Sequence, residues 1–312
     1  MASEALTASE APMARSSNPD GPHGLAIVDK PAGWTSHDVV ARSRKVLGTR
    51  RVGHAGTLDP DATGVLVLGV GKVTRLLRFL SAMGKSYVGE IVFGIETNTL
   101  DSAGEVTARH DMTGLSPDAV AAATPAFVGP ILQIPPMVSA LKVDGKRLHE
   151  LARAGIEVER QPRPVTVHAL AIVPTADSLI YRIEATCSSG TYVRTLAADI
   201  GTALGGGAHL RNLRRTSVGA FCLADVIPLE ELNAATLQSP ANALRHLPAL
   251  VVSPEEAVHV AHGRRFLLAE GSPGGQLRLL DDEGQLLAVA ENEPGTPLRF
   301  LVVMAGPEAV DP

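Results

Sequence analysis

The order in which apolar patterns follow one another constrains this chain more than any other feature. Gly24-Leu25-Ala26-Ile27-Val28 and Val65-Leu66-Val67-Leu68-Gly69-Val70 are continuous apolar runs that suit buried strands. Ser86 to Phe93 and Ile180 to Cys187 alternate instead. Tyr87, Gly89, Ile91 and Phe93 share one face of the first, and Tyr181, Ile183, Ala185 and Cys187 share one face of the second. Helical spacing appears between them. A Thr35/Asp38 capping box opens a helix with Val39, Val40, Ser43, Val46 and Leu47 on one side and Arg42 and Lys45 on the other, and Gly48 fits its end. Leu115 to Phe127 reads as helix after Ser116-Pro117-Asp118. Tyr192 to Leu204 reads as helix with a Val193, Leu196, Ala197, Ile200 stripe, ended by Gly205-Gly206-Gly207. Strands and helices mix without regular βαβ alternation, which favours an α+β fold over a doubly wound sheet.

The 312 residues suffice for a large domain and a small one. Residues 1–23, rich in Ala, Ser and Pro, read as a disordered tail. A boundary is expected near Leu237–Val251, where Pro appears and the composition turns acidic, which gives domains of 24–245 and 246–312. In the second, Ser253-Pro254-Glu255-Glu256 starts a helix that Gly263 ends. Short strands follow at Gln276–Leu280, Gln285–Ala290 and Arg299–Met304, around an Asp281-Asp282-Glu283-Gly284 turn. No apolar run reaches the roughly 18–20 residues needed to span a bilayer. The N-terminus lacks the basic-then-apolar pattern of a secretory signal. Cys187 and Cys222 have neither disulfide-framework nor metal spacing. A cytoplasmic protein is the simplest fit.

The net charge of −5 argues against a strongly basic nucleic-acid binder, but it hides an asymmetry. Residues 24–235 hold 22 Lys and Arg against 20 Asp and Glu, a balance of +2; residues 236–312 hold 5 against 10, a balance of −5. Arg42, Arg44, Lys45, Arg50 and Arg51 cluster, as do Arg211, Arg214 and Arg215. Phosphate binding depends on local positive density, although either cluster also fits a solvated surface.

Reactive and conformationally special residues are densest between Gly53 and Gly64, read as part of a long loop from Arg51 to Gly64. Glycines at 53, 56 and 64 flank His54, Thr57, Asp59 and Thr63, and Pro60 stiffens the chain after Asp59. Such a loop can hold a carboxylate in a fixed position between two strands; Asp-Pro is also a plain turn former. Gly69-Val70-Gly71-Lys72 lacks the phosphate-loop spacing, the ten histidines show no metal-ligand spacing, and no Gly-x-Ser-x-Gly elbow occurs.

Gly53-His54-Ala55-Gly56-Thr57-Leu58-Asp59-Pro60-Asp61-Ala62-Thr63-Gly64 closely resembles the catalytic motif of the TruB family of tRNA pseudouridine synthases. Asp29-Lys30-Pro31-Ala32-Gly33-Trp34-Thr35-Ser36 is similar to that family's Lys-Pro motif, and Lys85-Ser86-Tyr87 to its tyrosine motif. Ile134-Pro135-Pro136-Met137 with Ser139-Ala140-Leu141-Lys142, and Ser189-Gly190-Thr191-Tyr192-Val193-Arg194-Thr195, resemble further segments. Gly207-Ala208-His209-Leu210 and Leu213-Arg214-Arg215 follow at the family's spacing. The likeness runs from about Gly24 to Asp225 and is weaker in the C-terminal module. Val138 and His149 stand where the family commonly has tyrosine.

The resemblance implies a catalytic domain built on a mixed, mainly antiparallel sheet and a small β-rich PUA-like RNA-binding domain. It implies isomerisation of uridine-55 in the T-loop of tRNA by base flipping, glycosidic cleavage and rejoining of C1′ to C5. Asp59 is then the essential carboxylate, whether it engages C1′, C6 or loss of a C2′ proton. Arg194 is its partner, and Tyr87 stacks on the uracil. His54 supports the flipped-out nucleotide, Tyr192 packs near Arg194, and Lys30 is structural or phosphate-facing. Arg42, Lys45, Arg50, Arg51, Arg211, Arg214 and Arg215 are expected along the T stem-loop phosphates. The expected partner is tRNA alone, bound by a monomer with no cofactor, metal, membrane or obligate protein partner. A non-catalytic RNA-folding protein on the same scaffold, or a glycosidase using a second carboxylate, are the alternatives.

Overall fold

Strands that must be buried on both faces lie at the heart of the main sheet. The computed structural model describes residues 21–139, 141–143, 146–148, 156 and 158–306. The expected tail falls almost wholly outside the described residues, as does His149.

The strands in chain order begin with β1 (Gly24–Lys30), β2 (Val52–His54), β3 (Thr63–Val70), β4 (Lys85–Phe93), β5 (Ile95–Thr97) and β6 (Val106–Arg109). They continue with β7 (Gly129–Gln133), β8 (Lys142–Val143), β9 (Lys146–Arg147), β10 (Arg163–Pro174), β11 (Ile180–Cys187) and β12 (Ala208–Val218). The last are β13 (Phe221–Cys222), β14 (Ile227–Pro228), β15 (Ala249–Val251), β16 (Gly275–Leu280), β17 (Leu286–Asn292) and β18 (Arg299–Val303). Helices are α1 (Ser36–Leu47), α2 (Leu77–Ser81), α3 (Pro117–Ala123), α4 (Val193–Ala203), α5 (Pro240–Ala243) and α6 (Pro254–Ala261).

A ten-stranded sheet runs in the order β14, β1, β3, β12, β4, β11, β10, β7, with β2 added to β3 and β13 to β12. Pairing is antiparallel except at β1/β14 and β3/β12. A second sheet, β15–β18, forms the C-terminal β domain, so the α+β class holds with a mainly antiparallel sheet. Among the described residues no helix is long and apolar enough to cross a membrane.

The two apolar patterns have distinct causes. On one face of β1 and β3, Ala26, Val28, Leu66 and Leu68 pack against Val39, Val40 and Leu47 of α1. On the other, Leu25, Ile27, Val65 and Val67 pack with Leu76, Leu80 and Phe221. Two covered faces demand continuous apolar sequence. On β4 and β11 the alternating face, with Tyr87, Ile91, Phe93, Tyr181, Ile183 and Ala185, buries against Leu196, Ala197 and Ile200 of α4.

Local signals hold where capping chemistry sets them. Thr35 and Asp38 form the full capping box of α1, and Gly48 ends it in the left-handed region at φ 63°. Two expectations are corrected and one omission is filled. The stretch read as loop from Arg51 contains β2, whose backbone pairs with β3 at Val52↔Val70 and His54↔Leu68. The helix read to Phe127 is regular only to Ala123 and tightens to a 3₁₀ turn through Pro125. The stretch from Ala208 to Val218, assigned no element, is the central strand β12. Its arginines mask the alternation, and a bulge between Arg211 and Arg214, with Asn212 at φ 54°, breaks the period.

Candidate active site

The backbone of the Asp59 loop is fastened before its side chains do anything. Ala55 N–H still reaches the Val67 carbonyl at 2.9 Å, after which the chain leaves the sheet. Leu58 is gripped through both backbone groups by Ser36, whose Oγ accepts from Leu58 N–H at 2.9 Å and lies 3.2 Å from its carbonyl. The Pro60 carbonyl accepts from Gly33 N–H at 3.0 Å and from Lys30 Nζ at 2.8 Å. Lys30 also donates to the carbonyls of Pro31 and Trp34, so its three ammonium donors are spent on backbone. Its side chain is fully buried, and burial lowers its pKa to about 8. Lys30 thus ties the Asp29–Ser36 segment to the Asp59 loop. The loop returns to the sheet at Gly64, where φ is 100° and a Cβ would stand 2.2 Å from the Arg215 carbonyl. Only glycine lets β3 pass beside β12 there.

Arg194, in the first turn of α4, reaches the Asp59 carboxylate side-on, with Nε 2.9 Å from Oδ2 and Nη2 3.0 Å from Oδ1. Its remaining donors go to the Thr99 carbonyl at 2.9 Å, Asp101 Oδ2 at 3.1 Å and the Val138 carbonyl at 3.0 Å. All five guanidinium donors are therefore used. The contact at 138 is through backbone, so valine in place of tyrosine leaves it intact. Arg194 is 4% exposed, while Asp59 keeps 37% of its side-chain surface open at the cleft mouth. Burial among protein atoms pushes the Asp59 carboxyl above the ordinary range; Arg194 pulls it back, and Asp101 pushes it further up. Because the group still meets solvent, it is poised rather than sealed off.

Between Asp59 and β4 lies a cleft of about 360 Å³, lined by Gly56–Asp59, Lys85, Tyr87 and Tyr192–Arg194 among others. That size suits a single small ring system within the roughly 300–1,000 Å³ range of ligand pockets. Tyr87 is buried, and burial holds its phenol protonated well above the usual tyrosine range. Tyr192 lines the same cleft half-buried. Its backbone is clamped on both sides by the Gln133 amide, which accepts from Tyr192 N–H at 3.0 Å and donates to its carbonyl at 3.3 Å. His54 meets His37 edge-on with centroids 5.6 Å apart. Burial, with His37 and Arg215 nearby, lowers its pKa to about 4, so the ring is neutral at pH 7.

The basic residues divide. Arg42, Lys45, Arg50 and Arg51 are exposed on or beyond α1, where a phosphate can reach them. Arg214 pairs with Asp29 through two bonds, at 3.0 and 2.7 Å, and Arg211 pairs with Glu90 at 2.6 Å. Arg215 departs furthest from expectation. It is fully buried and donates to the carbonyls of Val65, Thr57 and Gly56, so it braces the loop from behind instead of tracking RNA phosphates. The sequence reading also missed Ser36, Asp101 and Gln133 as positioning groups; only Ser36 lay inside a quoted motif. No cluster of three or more His, Cys, Asp or Glu that could hold a metal occurs among the described residues.

Comparison with known proteins finds the relatives of this chain among pseudouridine synthases. Residues 44–193 match the TruB family pseudouridylate synthase N-terminal domain, and residues 194–259 match the tRNA pseudouridylate synthase B C-terminal domain. The two matches meet at Arg194, so the Asp59–Arg194 pair joins them. Proteins named tRNA pseudouridine synthase B are similar over nearly their whole length. The one from Thermobifida fusca is 47% identical over 292 residues, covering 91% of this chain and 99% of that protein. The one from Moorella thermoacetica is 45% identical over 295 residues, covering 89% and 97%. The chain also shares the fold of a chain in a Cbf5-Nop10-Gar1 complex, with TM-score 0.71, 25% identity and coverage of 96% of this chain and 94% of that one. The chain belongs to the TruB family of pseudouridine synthases.

Proposed function

We propose that this chain converts uridine-55 in the T-loop of tRNA to pseudouridine. The observation that carries the reading is the side-on pairing of Asp59 with the buried Arg194 at the wall of a cleft of base size that Tyr87 lines. The target nucleotide leaves its stack and enters this cleft, where Tyr87 lies against the uracil and neutral His54 supports the space left behind. The N1–C1′ bond breaks with Asp59 engaging the electron-poor sugar or base. The base turns, and C5 bonds to C1′ while C5 loses a proton and N1 gains one. Nothing is oxidised, so the reaction calls for neither cofactor nor metal.

Arg194 keeps Asp59 ionised and aimed. Its grip on Asp101 also removes the second carboxylate from a general-acid role, which disfavours a glycosidase. Arg42, Lys45, Arg50 and Arg51 follow the phosphates of the T stem-loop, and Arg211 and Arg214 join them where their carboxylate partners allow. Residues 246–312 form a PUA-like RNA-binding module beside the catalytic domain of 24–245. The protein acts as a cytoplasmic monomer without an obligate protein partner.

The test is incubation with an unmodified tRNA transcript, followed by carbodiimide labelling to map pseudouridine by position. One modified nucleotide, at position 55, is expected from the wild type, and Asp59→Asn should lower the rate on the order of 10³-fold or more. Modification elsewhere refutes the site; substantial turnover by Asp59→Asn refutes the role of the carboxylate.

A further inference from the structure

Among the described residues two buried cations near the Asp59 loop have no carboxylate bonded to them, Arg215 behind the loop and Lys85 in the cleft wall, and the scheme above gives neither a chemical task. Arg215 spends donors on three backbone carbonyls. Lys85, on β4 and 6% exposed, donates to the carbonyls of Ser81 at 3.0 Å and Met83 at 2.7 Å. An ammonium has three donors, so one remains. Lys85 lines the cleft together with Asp59 and Tyr87. It lies two residues from Tyr87 on one strand, and so on the same face. A Cβ on Gly56 would stand 3.0 Å from Lys85 Cε and 3.9 Å from Nζ; bare backbone at 56 is what lets the ammonium lie beside the Asp59 loop.

Burying a cation without a counter-charge is costly. Asp59, the anion across the cleft, is already committed to Arg194. A site of this kind is suited to a negative charge that arises only during reaction. We propose that Lys85 is a catalytic residue that gives its remaining N–H to a carbonyl oxygen of the uracil as the base separates from C1′. The inference rests on the uridine-isomerase reading of the cleft. When N1–C1′ breaks, the electron pair stays with the base, and the charge spreads over N1, O2 and O4. The ammonium lowers the energy of that anion without transferring a proton. The C5 proton is lost and N1 is protonated after rejoining, and Lys85 ends the cycle protonated, as it began.

The charged and titratable groups acting on Lys85 are Arg215 from β12 and Cys187 from β11, with Tyr87 two residues along its own strand. Burial first, and then Arg215, lower its pKa to about 8, so it is mostly charged at neutral pH and loses its charge a little above.

Lys85→Met should lower kcat on the tRNA transcript on the order of 10²-fold, as for loss of one oxyanion donor, with KM little changed. Lys85→Arg, whose charge does not titrate, should keep most activity and reduce the alkaline fall in kcat expected of the wild type near pH 8. Lys30 has a similar pKa of about 8 and is untouched in both variants. An alkaline fall in Lys85→Arg with the same midpoint and depth as in the wild type therefore overturns the proposal, as does a folded Lys85→Met enzyme turning over at the wild-type rate. If Lys85→Met does not fold, the pH profile of Lys85→Arg decides. A wild-type protein that forms no pseudouridine refutes the isomerase reading instead.

Discussion

The Asp59 loop is held from two sides by two buried arginines whose partners could hardly differ more. On the α4 side, Arg194 meets two carboxylates, Asp59 and Asp101, and two carbonyls. On the β12 side, Arg215 meets backbone carbonyls of the loop and of β3 and the Tyr87 phenol, and among the described residues it pairs with no carboxylate. The first arrangement sets the charge and aim of one side chain. The second sets the path of the backbone that carries it. Dividing these tasks lets the loop stay rigid while Arg194 and Asp101 exert the largest charge effects on the ionisation of Asp59, which is how a preorganised site is kept precise.

That contrast breaks most readily at Arg194. Arg194→Ala strands a carboxylate beside unsatisfied carbonyls, so near-complete loss of rate is expected. A loss of about 3–5 kcal/mol in unfolding free energy, read by urea denaturation, should accompany it. Arg215→Met should invert the balance. Three carbonyls lose a donor at about 1–3 kcal/mol for each one left unsatisfied, so stability falls by a few kcal/mol while kcat falls less than in Arg194→Ala. Equal losses of rate in the two variants would collapse the distinction.

Asp101→Asn sharpens it. In the proposed reaction Asp59 acts ionised, and its folded pKa is raised, so activity should be lost as pH falls through a value above the ordinary carboxylate range. Asp101 contributes to that upward push. Its replacement should move the acid limb of the kcat/KM profile to lower pH, and an unmoved limb would remove Asp101 from the electrostatics of the site. The smallest effect belongs outside the loop. Lys45→Ala should weaken tRNA binding for all sequences and reduce the slope of log K against log salt by about 1, with kcat unchanged.

What the sequence disclosed follows from the range of the forces involved. The capping box at Thr35 and Asp38, the left-handed Gly48 and the alternating faces of β4 and β11 depend on neighbours within a few residues, and they were legible. The Asp59–Arg194 pair spans 135 positions, and only the likeness to a family pointed to it. Arg215 misled because an arginine next to another looks like a solvated cluster. Nothing local reveals that β3 will run parallel to β12 at Arg215↔Gly64 and bury it. Strand β12 escaped for the same reason, its central place in the sheet hidden by charged residues and a bulge.

The C-terminal sheet is no pendant. Leu286, Val289, Val302 and Met304 share one apolar cluster with Leu25, Ile27, Val65 and Val67, and the side chains of Arg75 and Arg78 cap the carbonyls of Val303 and Leu301. Oil-filled seams of this sort do not hinge. The distance from the Asp59 cleft to the far rim of the C-terminal sheet is thereby set by packing, as the spacing of two jaws is set by the casting that joins them.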